Sequence, residues 1–224
     1  MVSTSPTVST GHVTIKPDHL TGLYAITDSA LIPADQLYAT VEKVISGGAT
    51  MVQFRDKYAP PAERLQQAQT VLELCRARSV PLIINDDVEL ARKIGAHGVH
   101  LGRADLSLTD ARDYLGRSTM VGLSCYASIA RALAAQAAGA DYVAFGRFFP
   151  SKTKPLAKHV DLSILSEARQ QLTLPIVAIG GITAENGQAL LTAGADMLAV
   201  IHDLFGHADP CQAAERYKPL FEKN

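Results

Sequence analysis

The sequence predicts an α/β protein built as a single (β/α)8 TIM barrel, on three observations. Short apolar runs rich in strand-forming residues alternate with stretches of helical periodicity, the pattern of parallel βα units. Eight runs and eight helical stretches can be counted, enough to close a barrel. A Gly-Ala pair precedes every second strand, at Gly48-Ala49, Gly95-Ala96, Gly139-Ala140 and Gly194-Ala195, a recurrence of roughly fifty residues that suits two βα units per repeat. At 224 residues the chain can bury one such core and needs no second domain.

In chain order, the first strand is expected at Gly22–Thr27. No Gly-rich dinucleotide fingerprint follows it, which argues against an open doubly wound sheet. A helix at Gln36–Ser46 leads through Gly48-Ala49 to the strand Met51–Arg55, and a helix at Ala62–Arg78 leads to the strand Leu82–Asn85. Asp87 stands directly before the helix Val88–Ile94, where a cap is wanted. The strand Gly98–Leu101, the helix Leu108–Leu115 and the strand Met120–Ser124 come next, then the helix Ile129–Ala138 and the strand Tyr142–Phe145. The helix Leu162–Gln171, the strand Ile176–Ile179, the helix Asn186–Ala193, the strand Met197–Val200 and the helix Gln212–Phe221 complete the count. In each Gly-Ala pair the Gly is expected to end a helix in the left-handed conformation, and the Ala to let the chain turn closely under the barrel. Residues 1–20 are rich in Ser and Thr and lack both a basic start and an apolar run of signal-peptide length. They read as a flexible arm, leaving 21–224 as the catalytic barrel domain.

Apolar residues are 47% and charged residues 19% of the chain, an ordinary globular balance. A net charge of -1 gives no general attraction to nucleic acid or to an anionic membrane, so the expected partner is a small molecule held by a local constellation. Cys75, Cys125 and Cys211 are odd in number and widely spaced, with no zinc-type cluster, which points to a reducing compartment. No apolar run approaches the roughly eighteen residues of a membrane span, so a cytoplasmic location is expected. The composition leaves a homo-oligomer open.

In such a barrel the active site is built at the C-terminal strand ends, and polar residues collect there. The second strand runs into Gln53-Phe54-Arg55-Asp56-Lys57, the third into Asn85-Asp86-Asp87, the fourth into His100 and Asp105, and the fifth into Ser124. The sixth leads into Gly146-Arg147 and then Ser151-Lys152-Thr153-Lys154, the seventh into Gly180-Gly181, and the eighth into Ile201-His202. Alternation along an extended segment puts Gln53, Arg55 and Lys57 on one side, an arrangement able to grasp a diphosphate. Taken alone, the same segment serves equally as a solvated strand end. Asp86 and Asp105 follow adjacent strands and can share a magnesium ion, which favours carboxylates, waters and phosphate oxygens. Either could instead be a helix cap, although Asp87 is better placed for that. Gly180-Gly181 alone serves equally as a tight turn, but beside the Ser-Lys-Thr-Lys loop it makes two phosphate-competent segments, and two phosphorylated substrates imply a transferase.

From Gly22 to Pro210 these segments resemble the thiamine-phosphate synthase family: Leu23-Tyr24-Ala25-Ile26-Thr27-Asp28, the Gln-x-Arg-x-Lys of Gln53–Lys57, Ile84–Asp87, Gly98–Gly102 with Asp105, and Pro175–Thr183. The resemblance implies that Gln53, Arg55, Lys57, Asn85, Ser124 and Lys154 hold a pyrimidine diphosphate, with Phe54 and Asp56 inside the same segment. Arg55, Lys57 and Lys154 would then be the catalytic cations. It implies that Asp86 and Asp105 hold Mg2+, and that Ser151, Lys152, Thr153, Gly181 and the backbone of Ile201-His202 hold a thiazole phosphate. The implied reaction is displacement of pyrophosphate from the pyrimidine's methylene carbon by the thiazole nitrogen, with loss of carbon dioxide when the thiazole is carboxylated.

The chemistry agrees with that assignment. An aminopyrimidine stabilises a benzylic-type cation, so the demanding task is to neutralise the leaving pyrophosphate, and cations with magnesium suit it. No protein nucleophile is needed; Ser124 reads as a hydrogen-bonding residue and Cys125 as a small buried one. Ser151 stands where the family often has Thr, His202 where Ser is common, and Arg103 where Gln is frequent. A related thiazole tautomerase need not keep both aspartates and the complete Gln-x-Arg-x-Lys, and a non-catalytic barrel that binds thiamine intermediates would have no reason to retain Asp86, Asp105 and Lys154 together. A phosphosugar isomerase would require a base, for which His100 is a candidate, although a packed, hydrogen-bonded histidine is the commoner use of that position.

Overall fold

The computed structural model describes residues 20–150 and 158–222. Eight parallel strands, β1 (Gly22–Ile26), β2 (Ala49–Phe54), β3 (Leu82–Asn85), β4 (Gly98–Leu101), β5 (Met120–Tyr126), β6 (Tyr142–Phe145), β7 (Ile176–Ile179) and β8 (Met197–Val200), pair in sequence order. β8 then closes on β1, with Gly22 to Ala25 opposite Met197 to Val200. One helix follows each of the first seven strands: α1 (Leu37–Ser46), α2 (Pro61–Ala77), α3 (Val88–Ile94), α4 (Leu108–Leu115), α5 (Ile129–Ala137), α6 (Ser163–Gln171) and α7 (Ala184–Thr192). The TIM barrel read from the sequence is the fold.

Strand ends move by one or two residues, as at β2 and β5, and three differences among the helices have physical reasons. α7 begins two residues early, because Thr183 and Asn186 form a reciprocal capping box at its start. The chain after β8 forms a short helix α8 (His202–Phe205) that no apolar periodicity announced. The final helix is two pieces, α9 (Pro210–Glu215) and α10 (Lys218–Phe221). Pro219 lacks the N–H that a continuous helix would need and crowds the preceding turn, so the helix must restart.

Strand alternation sorts the interior into two layers. Leu23, Val52, Phe54, Val99, Cys125 and Val143 face outward into the large core between strands and helices. Tyr24, Met51, Ile83, Met120, Tyr142 and Met197 face inward and fill the barrel with a smaller cluster. Leu20, assigned to the arm on sequence, belongs to this inner cluster and is buried. Gly122 is required by that filling, since a Cβ there would stand 2.0 Å from Cζ of Tyr142.

The Gly-Ala repeat is a structural device with more parts than the sequence reading gave it. The four glycines have φ of 113°, 67°, 85° and 116°, and the four alanines are buried. The next residue latches an even-numbered strand to the odd one before it. His97 Nδ1 accepts from the Leu82 amide at 3.0 Å, Asp141 Oδ2 from Val121 at 2.7 Å, and Asp196 Oδ2 from Ile176 at 2.7 Å. In the first repeat the Thr50 hydroxyl instead donates to the Thr21 carbonyl at 2.8 Å. An arginine from the helix two strands back seals three of the repeats: Arg76 donates to the Gly95 carbonyl, Arg112 to that of Gly139, and Arg169 to that of Gly194.

Candidate active site

A cavity of about 300 Å³ opens at the C-terminal end of the strands. Its floor is the inward layer, including Tyr24, Ile26, Gln53 and His100; its walls carry Arg55, Lys57, Asn85, Asp86 and Ser124 on one side. The other wall carries Gly180, Gly181, Ile201 and His202. The structure therefore brings most of the sequence-derived candidates into one chamber.

Each side chain arrives there by local rules. Gln53 sits between the outward Val52 and Phe54, so it points into the barrel and is only 2% exposed. Arg55 continues the same phase; its amide donates to the Thr27 hydroxyl at 2.9 Å and its Nη1 lies 3.4 Å from Asp28 Oδ2. Lys57 Nζ lies 3.8 Å from Asp86 Oδ2 with half of its side chain exposed, so it remains available to an anion in the cavity. Gly181 has φ 67°, and a Cβ there would fall 2.2 Å from the Pro150 carbonyl, so only glycine brings this backbone so close to the loop after β6.

The carboxylates form a strained pair. Asp86 holds φ 64°, a left-handed conformation that a non-glycine residue adopts at a cost. It is fixed there by its own amide, which donates to the His100 carbonyl at 2.9 Å, and by Asn85 Nδ2, which donates to Asp86 Oδ2 at 2.6 Å. Asp105 accepts from the Gly102 amide at 2.6 Å. Burial, and then the hydrogen bond and charge of Asp105, raise the Asp86 pKa above the ordinary carboxylate value, against the pull of Lys57. The charge of Asp105 opposes the ionisation of Asp86, and a cation placed between the two carboxylates would relieve that opposition. Asp87 is the helix cap, as expected: its Oδ1 accepts from the Leu90 amide at 2.8 Å.

Two expectations need correction. Phe54 faces the outer core and is 2% exposed, because alternation turns it away from the cavity that Gln53 enters. Asp56 folds back on its own loop, accepting from the Ser29 hydroxyl and from the Tyr58 and Ala59 amides, so its carboxylate orders the β2–α2 turn instead of facing the chamber. Ser151, Lys152, Thr153 and Lys154 lie outside the described residues. Arg103 stacks over the Tyr126 ring at 4.7 Å, which gives it an aromatic contact that the sequence could not assign.

Other groups were not foreseen. Tyr24 and Tyr142 meet at the barrel floor, and Tyr126 lines the cavity; Arg147, expected past the sixth strand, lines it too. For the two tyrosines the available signal was the inward phase of their strands, the same phase that places Gln53. His100 lies between Ser124 and Tyr142, at 2.8 and 3.0 Å, which favours the packed, hydrogen-bonded use of this residue over a base aimed at a carbon acid. Cys125 faces the outer core fully buried, with its thiol pushed up to about 12, so it is no nucleophile. Among the described residues no group of three or more His, Cys, Asp or Glu converges as a metal cage, and no helix is long and apolar enough to cross a membrane.

The family model described as thiamine monophosphate synthase matches residues 23–204. The thiamine-phosphate synthase of Nitrosococcus oceani is 50% identical over 200 residues, covering 89% of this chain and 92% of that protein. That of Azoarcus sp. is 50% identical over 204 residues, covering 91% and 98%. A solved structure of thiamine phosphate pyrophosphorylase from Pyrococcus furiosus superposes with a TM-score of 0.82 at 33% identity, covering 90% of this chain and 95% of that one. The model match spans most of the barrel and the relatives extend over nearly their whole lengths, so this chain belongs to the thiamine-phosphate synthase family.

Proposed function

We propose that this chain condenses 4-amino-2-methyl-5-(diphosphomethyl)pyrimidine with thiazole phosphate, releasing pyrophosphate and forming thiamine phosphate, and that a carboxylated thiazole phosphate also loses carbon dioxide in the reaction. The observation that carries this reading is the convergence of Arg55, Lys57 and Asp86 on one wall of the cavity, with Asp105 against Asp86, above a floor of hydrogen-bonding side chains. Cations beside a carboxylate pair suit a diphosphate that travels with a divalent ion. The pocket below suits a flat heterocycle.

The donor set fits magnesium. Asp86 and Asp105 supply two hard oxygen ligands, and an ion that keeps waters and takes substrate phosphate oxygens needs no third protein carboxylate. Bound there, it would supply charge neutralisation for the departing pyrophosphate. Arg55 and Lys57 add positive charge to the same leaving group, and burial strengthens the interaction at Arg55. Gln53 and Ser124 orient the pyrimidine at the floor. Gly181 and the backbone of Ile201-His202 face them across the cavity and would receive the thiazole phosphate, which sets the attacking nitrogen opposite the methylene carbon.

The test is pyrophosphate release by the purified protein with both substrates and magnesium, each omitted in turn. Release that needs all three, with thiamine phosphate formed, is the expected result. Tight binding of thiazole phosphate without release would refute the proposal and favour a tautomerase or a binding protein.

A further inference from the structure

The floor of the cavity holds a chain of hydrogen bonds whose direction the buried atoms dictate. Gln53 Nε2 meets the Tyr24 hydroxyl at 2.7 Å, Tyr24 meets the Tyr142 hydroxyl at 3.0 Å, Tyr142 meets His100 Nδ1 at 3.0 Å, and His100 Nε2 meets the Ser124 hydroxyl at 2.8 Å. Tyr24 and Tyr142 are 1% and 0% exposed, and the two rings stand edge to face at 6.1 Å. Tyr142 stacks on His100 at 5.6 Å, so the links share one rigid stack.

An amide nitrogen only donates. Gln53 therefore gives a proton to the Tyr24 oxygen, and the single hydroxyl proton of Tyr24 has Tyr142 as its acceptor. Were Tyr142 to donate to Tyr24 instead, the proton of a fully buried hydroxyl would be left without an acceptor, a cost that buried donors seldom bear. Tyr142 in turn donates to His100 Nδ1, which must be the bare nitrogen, so His100 carries its proton on Nε2 and donates to the Ser124 oxygen. The Ser124 proton is then left to point into the cavity.

We infer that Tyr24 and Tyr142 are positioning residues that fix the Nε2–H tautomer of His100 and thereby present Ser124 to the substrate as a hydrogen-bond donor. The substrate group that Ser124 meets is thus an acceptor, a ring nitrogen or an oxygen, and never an amino group. This assignment of roles rests on the synthase reading, whereas the direction of the chain rests on the hydrogen bonds alone.

The experiment is nitrogen-15 NMR of the histidine side chains at neutral pH, with the His100 signals identified by their loss in His100→Gln. Wild-type His100 should show a protonated Nε2 and a bare, hydrogen-bonded Nδ1; a protonated Nδ1, alone or in an imidazolium, overturns the inference. Tyr142→Phe should move the Nδ1 signal toward that of a free imine nitrogen and lower kcat/KM for the pyrimidine diphosphate about tenfold, the scale of one hydrogen bond. Should Tyr142→Phe fail to fold, Tyr24→Phe serves in its place: it removes the link through which Gln53 sets the direction and should give a mixture of tautomers. An unchanged tautomer and unchanged kinetics in a folded variant refute the role. A wild-type protein with the expected tautomer but no turnover would instead sink the synthase reading.

Discussion

Asp86→Asn should stabilise the metal-free protein while nearly abolishing turnover. Asp86 faces Asp105, and its raised pKa shows that the repulsion and the burial outweigh the Lys57 contact. Asparagine keeps an oxygen for Asn85 Nδ2 and tolerates the left-handed backbone at φ 64° at least as well. What is lost is the Lys57 pairing at 3.8 Å; with 37% of the Asp86 side chain exposed, solvent screens both this and the repulsion. The net gain is therefore small, on the order of 0.5–1 kcal/mol, or roughly 1–4 °C in Tm for a chain of this size. The pH dependence has a definite sign. A carboxyl whose folded pKa is raised favours folding while protonated and loses that contribution as pH rises through the folded value, so the variant's advantage should appear at neutral pH and vanish only at a pH well below 3.8, the group's ordinary value. Thermal melts in EDTA at the two pH values measure it. Magnesium should then raise the wild-type Tm by mass action and leave the variant unmoved, while pyrophosphate release falls roughly 10²-fold or more. A variant that melts below wild type in EDTA at neutral pH would refute the reasoning.

Three further substitutions test other parts of the structure. Gly122→Ala puts a methyl 2.0 Å from Tyr142 Cζ and should cost about 1–3 kcal/mol in urea unfolding, with disturbed tyrosine near-UV circular dichroism; an unchanged midpoint would mean that the inner layer is looser than described. Arg112→Ala removes donors to the Thr119 and Gly139 carbonyls and to Asp141, and should cost about 2–4 kcal/mol by the same measurement with the KM values held near wild type. Asp56→Ala loses the turn contacts to the Tyr58 and Ala59 amides and should cost about 1 kcal/mol, yet keep turnover within about threefold, because its carboxylate does not face the cavity; a loss of a hundredfold would restore it to the site.

The barrel was legible because its signals are local. Strands buried on both faces read as short apolar runs, and the left-handed glycines before every second strand mark the repeat. The candidate site was legible where a motif lies on one strand with a fixed phase, as for Gln53, Arg55 and Lys57. It failed where a contiguous motif was taken whole: alternation sends Phe54 outward, and an Asx turn captures Asp56. Tyr24 and Tyr142 stayed hidden because a tyrosine in a strand looks like core, and their contact joins positions 118 residues apart. The break between α9 and α10 was masked by apolar periodicity that runs straight through Pro219.

The latches under the barrel make it an assembly of four two-stranded tiles. Each couples β1 to β2, β3 to β4, β5 to β6, or β7 to β8, on the face away from the cavity. New chain ends introduced in the α2–β3, α4–β5 or α6–β7 turns would leave every tile whole, whereas a cut at Gly95, Gly139 or Gly194 would part a strand from its partner. Circular permutation should therefore succeed at alternate turns only, and the loops at the mouth can change their chemistry without disturbing the strand register set from below.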